Sequence, residues 1–218
     1  MAAPMSSPSA APVPPPLPTL SFGGYAVQPG VLEGVPFWPR VGARLIDLIV
    51  HYVANFGAQF TFGVILGIVA AISHVPVQPL LVKLQGMLAL RFAAALLGQV
   101  AYHTVCEGLH GSTMGKLALG MVVAQEDGSP CRVGPAFIRS LAYQVDAIAF
   151  GIVAYLAMQR SPQHQRYGDQ WAHTVVVRRA QIPPERLRSG GRFVAALLLA
   201  MMADAAISIT SYTISVLL

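Results

Sequence analysis

Phe37-Trp38-Pro39-Arg40-Val41-Gly42-Ala43-Arg44-Leu45-Ile46-Asp47-Leu48-Ile49-Val50-His51-Tyr52-Val53-Ala54-Asn55 opens the first long apolar run of the chain, which continues to Ile72. Its polar residues are not scattered. At about 100° per residue, with Asp47 as zero, Arg40 falls at roughly 20°, His51 at roughly 40°, Arg44 at roughly 60° and Asn55 at roughly 80°. The polar set shares one arc of a helix and leaves the rest of its surface apolar. An ionisable side chain in hydrocarbon costs about 2.5–3.5 kcal/mol even on the lenient insertion scale, so this arc faces protein or water while the remainder faces lipid.

Composition carries the same reading outward. Of 218 residues, 55% are hydrophobic and only 11% charged, and the mean hydropathy is +0.59. These values exclude an ordinary soluble domain. Apolar segments run from about Val41 to Ile72, Leu80 to Val105, Phe137 to Met158 and Phe193 to Leu218, each near or above the ~18–20 residues needed to cross hydrocarbon. Ser73 to Pro79 forms a turn between the first two. The expected fold is an all-α membrane protein with three or four transmembrane helices.

The third segment carries Arg139, Gln144 and Asp146 in its first half. A plain crossing suits its length but splits the basic residues between the two sides. A re-entrant or interfacial course keeps everything from Cys106 to Arg192 beside the N-terminus and leaves only Lys83 near the opposite face, as the positive-inside tendency prefers. Both courses stand. The N-terminus and basic loops are read as cytoplasmic. The net charge of +5 is accordingly a topology signal rather than a nucleic-acid footprint.

Between the second and third apolar segments, Leu117 to Ala124 reads as a short strand and Asp127-Gly128 as a turn returning through Cys131 to Val133. Thr174 to Val177 is a second strand-like run. Because an open strand edge does not sit in lipid, these runs are expected to pair in a small cytoplasmic β-containing cap. Residues 1–35 form a tail rich in Pro and Ala that cannot bury a core and is expected to be disordered. Residues 179–192 form a basic linker to the last span, 193–218. Cys106 and Cys131 imply no disulfide framework.

Phe37-Trp38-Pro39-Arg40 followed by Ala43 and Asp47 resembles the opening of the RDD family, with an arginine at the head of the first helix and an aspartate seven residues on. Gly111-Ser112-Thr113-Met114-Gly115-Lys116, then Gly120, Val122, Asp127-Gly128 and Pro130, resembles the family's central segment. Arg139 with Asp146 matches its later arginine and aspartate, and Tyr167-Gly168-Asp169 before Thr174-Val175-Val176-Val177 resembles its close. The resemblance implies an RDD-like membrane domain over 36–178, with Arg40 and Asp47 as signature residues and either Asp146 or Asp169 as the second aspartate. It also implies a multi-pass protein of a bacterial inner membrane, in a family of unassigned activity for some of whose members cation/proton antiport has been suggested.

Two readings of the polar stripe follow. In one, Arg40 and Arg44 extend toward the headgroups while Asp47 pairs with one of them and holds the bundle together. In the other, Asp47 is the titrating carboxylate of a proton or monovalent-cation path, His51 the next relay, and Asp146 or Asp169 its mouth. Counted by helical rise, Arg91 and Asp204 lie roughly 21 and 18 Å from the basic side and are candidates for an intramembrane ion pair. Gln99 matches the depth of Asp47 as a hydrogen-bond partner.

No metal site, cofactor or catalytic residue is assigned. His103, Cys106, His110 and Cys131 lack a usual zinc spacing. The Gly111–Lys116 stretch has His110 where a phosphate loop needs its first glycine, and Leu117 where it needs Ser or Thr. The function expected is that of a non-enzymatic accessory or scaffold component, the alternative being a cation/proton antiporter. Its partners are the lipid bilayer, a second copy or another membrane protein, and in the alternative monovalent cations and protons; no nucleic acid is expected.

Overall fold

The computed structural model describes residues 32–147 and 151–217, together with 21–22 and 25–26. In the N-terminal unit, β1 (Ser21–Phe22) pairs antiparallel with β2 (Tyr25–Ala26). The rest of the tail up to Val31, including its proline cluster, lies outside the described residues. The second compact unit starts at Leu32.

Its first element is α1, Phe37–Ile72. Pro36 supplies an extended entry and Pro39 falls in the first turn, where a helical N–H has no acceptor to lose. The helix stops where the Ser73 N–H returns to the Val69 carbonyl (2.9 Å) and Pro76 follows. The expected second span divides into α2 (Val77–Gly86) and α3 (Leu88–Leu109), with Met87 between them out of helix. The last span is α8, Gly190–Leu217.

Among the described residues, α1, α3 and α8 are long and apolar enough to cross a membrane. Their outer surfaces agree. Ile49 (63% exposed), Phe56 (62%) and Leu198 (57%) stand free of protein, a pattern a water-soluble surface avoids. The third apolar segment is two helices, α5 (Val133–Asp146) and α6 (Ile152–Arg160). Gly151, at φ +85°, stands in a left-handed conformation that interrupts the helical path. Neither piece has the length of a span.

Polar elements lie between the spans. Thr113 caps α4 (Met114–Ala118) by accepting from the Lys116 N–H (3.3 Å), so Leu117 and Ala118 are helical rather than the start of a strand. The strand β3 begins at Met121, after Gly120 has turned the chain at φ +64°. The turn at Asp127-Gly128 forms, but the return makes one isolated bridge, Ala124 to Pro130, and Val133 already begins α5. The partner of β3 is β4 (Thr174–Arg178), antiparallel, with Val123 opposite Val176. Between α6 and β4 lies the short α7, Tyr167–Trp171.

One face of the β3/β4 ribbon buries Met121, Val123 and Val176 against Val35, Ala43 and Ala136. The other buries Val122, Val175 and Val177 against Ile182. A separate core lies between α3 and α8, around Tyr102, Cys106 and Ala200.

Candidate functional site

The polar stripe of α1 does not act as one unit. Its residues enter separate clusters at successive levels of the bundle.

At the head of α1, Arg40 Nη1 donates to Asp169 Oδ2 (2.5 Å), its Nε donates to the Val35 carbonyl (2.9 Å) and its Nη2 to the His164 carbonyl (2.8 Å). Asp169 is fully buried in α7, and its carboxylate also receives Arg139 Nη1 (2.7 Å), Arg166 Nη2 (3.3 Å) and the Arg166 amide (3.2 Å). Burial alone would raise this carboxyl. The guanidiniums of Arg139, Arg166 and Arg40 outweigh it and hold the group well below the usual carboxylate range.

Arg139, 1% exposed on α5, links this acid to a second one. Its Nε donates to Glu107 Oε2 (3.0 Å), and Glu107 also takes Lys116 Nζ (2.8 Å). Burial disfavours the charged Arg139, but Asp169 and Glu107 more than compensate and its proton is held more tightly than in water. The resulting chain, Arg40 to Asp169 to Arg139 to Glu107 to Lys116, ties α1, α7, α5, α3 and α4 together. Sequence reasoning did not single out Glu107; an acid in the last turn of an apolar helix is the available signal, since a helix C-terminus disfavours negative charge.

Of the two candidates for the second aspartate, Asp169 is the one Arg40 holds. Asp146 is 1% exposed, its nearest cation is Arg166 Nε at 3.9 Å, and neither oxygen accepts a well-formed hydrogen bond among the described residues. Burial raises its carboxyl above the usual range, with Arg166 offsetting only part of the effect.

One level deeper, Asp47 pairs with neither arginine. It accepts from Thr113 Oγ1 (2.6 Å), the Gly115 amide (2.8 Å) and Tyr102 Oη (3.1 Å). Gly115 permits this geometry, since a Cβ there would stand 2.0 Å from the Ala43 carbonyl oxygen. Arg44 instead sends Nη2 to Gln99 Oε1 (2.6 Å), lays Nη1 against His103 and stacks 3.9 Å from the centre of the Tyr143 ring. The expected partnership of Gln99 with Asp47 is thereby replaced.

Deeper still, His51 Nδ1 lies 3.0 Å from Asp204 Oδ2, to which Asn55 Nδ2 also donates (3.0 Å), and Ser208 Oγ donates to Asn55 Oδ1 (2.7 Å). His51 is therefore turned toward α8 rather than placed in line behind Asp47. Asp204 does not meet Arg91, whose guanidinium stands 5.3 Å from the Tyr212 ring centre. A Cβ at position 98 would come 1.9 Å from Asp204 Oδ1, so glycine there opens the place the carboxylate occupies.

Two cavities adjoin these clusters. The first, about 40 Å³, is bounded by Arg44, Glu107, Lys116, Arg139 and Arg166 and has room for water-sized species only. The second, about 370 Å³, lies between α1, α5 and α6 and is lined by Arg40, Arg44, Tyr143, Asp146 and Arg166 together with Val41, Leu45 and Leu48. Among the described residues no three His, Cys, Asp or Glu side chains converge as a metal set.

A profile of the RDD family matches residues 35–173, a stretch containing Arg40, Asp47, Asp146 and Asp169 but not α8, which supplies Asp204. No curated protein and no solved structure matches the chain.

Proposed function

This chain belongs to the RDD family, and from that premise we propose that it is a non-catalytic membrane scaffold whose signature charges fasten helices to one another. The observation that carries the reading is the engagement of the two aspartates closest to the head of α1. Asp47 is bound by three neutral donors on α3 and around α4, and Asp169 by three guanidiniums. A carboxylate that loads and unloads a cation needs an exchangeable face, whereas these two have donors fixed on separate elements. Neither of them lines the 40 Å³ void or the 370 Å³ cleft.

In this reading the N-terminus, the segment before α5 with Lys116 and Arg132, and the arginine-rich segment before α8 lie in the cytoplasm of a bacterial cell, with α2 and its Lys83 at the opposite surface, following the positive-inside tendency. The β3/β4 ribbon forms the cytoplasmic cap. The apolar outer faces of α1 and α8 are left for lipid, a second copy or another membrane protein.

The test is proton flux in liposomes containing the purified, correctly inserted protein under imposed sodium, potassium or lithium gradients, with Asp47→Asn alongside. The scaffold predicts no cation-dependent flux from either protein and lower thermal stability for Asp47→Asn. Flux from the wild type that Asp47→Asn abolishes overturns it.

A further inference from the structure

The 370 Å³ cleft between α1, α5 and α6 is lined by both cationic and apolar side chains. Among the cationic ones, Arg44 and Arg166 approach the same Tyr143 ring, their guanidinium carbons 3.9 and 5.6 Å from its centre. Both line the same cleft, and an anion held there would neutralise both. Arg166 divides its charge between Asp169 and the more distant Asp146, and Arg44 has no carboxylate within ion-pair distance among the described residues.

The surrounding cluster is unbalanced as a whole. Arg40, Arg44, Lys116, Arg139 and Arg166 stand against Glu107, Asp169, Asp146 and, one level deeper, Asp47, leaving one positive charge in excess even with every acid ionised. Val41, Leu45 and Leu48 give the cleft an apolar wall, and the last two are also exposed on the outer surface of α1. A basic pocket opening sideways along apolar helix walls has the chemistry of a headgroup site.

We propose that this cleft binds an anionic phospholipid, its phosphate held by Arg44 and Arg166 and one acyl chain lying along Val41, Leu45 and Leu48. The planar guanidinium fork matches phosphate oxygens with paired, charge-assisted hydrogen bonds. Asp146 is the second observation at the site: buried, lining the cleft and without a well-formed hydrogen bond. In its neutral form its O–H donates to a phosphate oxygen. The lipid would then bridge α1 to α5 and α7 where the protein's own charges leave a surplus, a role additional to the scaffold and independent of its partners.

The experiment is native mass spectrometry of the delipidated full chain with dioleoyl phosphatidylglycerol or dioleoyl phosphatidylcholine added, and with inorganic phosphate as competitor. Expected are at least about tenfold tighter binding of one phosphatidylglycerol than of phosphatidylcholine, loss of that preference in Arg44→Gln, its retention in the exposed control Arg160→Gln, and no displacement by inorganic phosphate. Equal binding of the two lipids, a preference that Arg44→Gln leaves intact, or displacement by phosphate alone overturns the proposal. Should Arg44→Gln fail to fold, a photoactivatable phosphatidylglycerol on the wild type decides: adducts concentrated on Val41, Leu45 and Leu48 support the site, and adducts spread evenly over α1, α3 and α8 refute it.

Discussion

Asp169→Asn is the substitution that tests most directly how this protein holds together. The carboxylate is fully buried, with Arg40 at 2.5 Å, Arg139 at 2.7 Å and Arg166 at 3.3 Å. An amide of the same shape leaves the volume unchanged. It removes the one negative charge that those three cations share among the described residues and turns an NH2 toward one of them. Breaking a buried pair from one side costs about 3–5 kcal/mol, and at about 2–4 °C per kcal/mol for a chain of this size the melting temperature should fall by roughly 6–20 °C. Arg40→Leu should cost less than Arg139→Leu, because Arg139 serves Glu107 as well as Asp169.

The pH dependence has a definite sign. Asp169 titrates below the usual carboxylate range when folded, so its contribution is complete above the unfolded value of about 3.9 and is lost as pH falls below it toward the depressed folded value. Thermal unfolding in detergent, followed by tryptophan fluorescence from pH 7 to 3, provides the measurement. A fall of less than about 3 °C for Asp169→Asn at pH 7, or an effect that disappears already at pH 5, would show that Asp169 does not hold the three cations together, since about 1 kcal/mol is the scale of an exposed pair.

Asp146→Asn should act in the opposite direction, stabilising the protein by on the order of 1 kcal/mol at pH 8, because it removes a buried charge without well-formed hydrogen bonds. The folded carboxyl lies above its unfolded value, so the wild-type penalty is relieved as pH falls through the folded value, and a pH series of melting temperatures should show the mutant's advantage fading toward pH 4. Gly115→Ala places a Cβ 2.0 Å from the Ala43 carbonyl oxygen and should cost about 2 kcal/mol or more, read as lost monodisperse yield in size exclusion. Arg91→Leu should cost only about 0.5–1 kcal/mol through its contact with Tyr212, and adding Asp204→Leu should lower the melting temperature further. Rescue by the double change would reinstate a direct Arg91 to Asp204 pair.

The errors of sequence reading have physical causes. Arg40 and Asp47 lie on one arc of α1, so pairing within the helix is the economical expectation. The structure instead joins Arg40 to an acid 129 positions away, because α7 packs beside the head of α1. Arg91 and Asp204 match in depth, but depth along a helix says nothing of which way a residue faces. Gly98, with no side chain of its own, opens the space in α3 that Asp204 fills. Glu107 has His103 one turn earlier on its own helix, but the lysine and arginine that hold it come from α4 and α5.

The order of residues is enough to show that the chain inhabits a membrane, where its first and last spans run to within a few residues, that Thr174–Val177 is a strand, that Asp127-Gly128 is a turn, and which family it resembles. Those properties depend on hydrophobic length, local backbone preference and motif order, all read along one dimension. Packing in three dimensions is needed to see that the second apolar segment divides at Met87, that the third is two short helices, that Asp47 is met by α4 rather than by an arginine, and that Arg40, Arg139 and Asp169 share one buried site. Charge pairing in a bundle depends on which helix faces converge, and that is set by packing across distances the linear order does not encode.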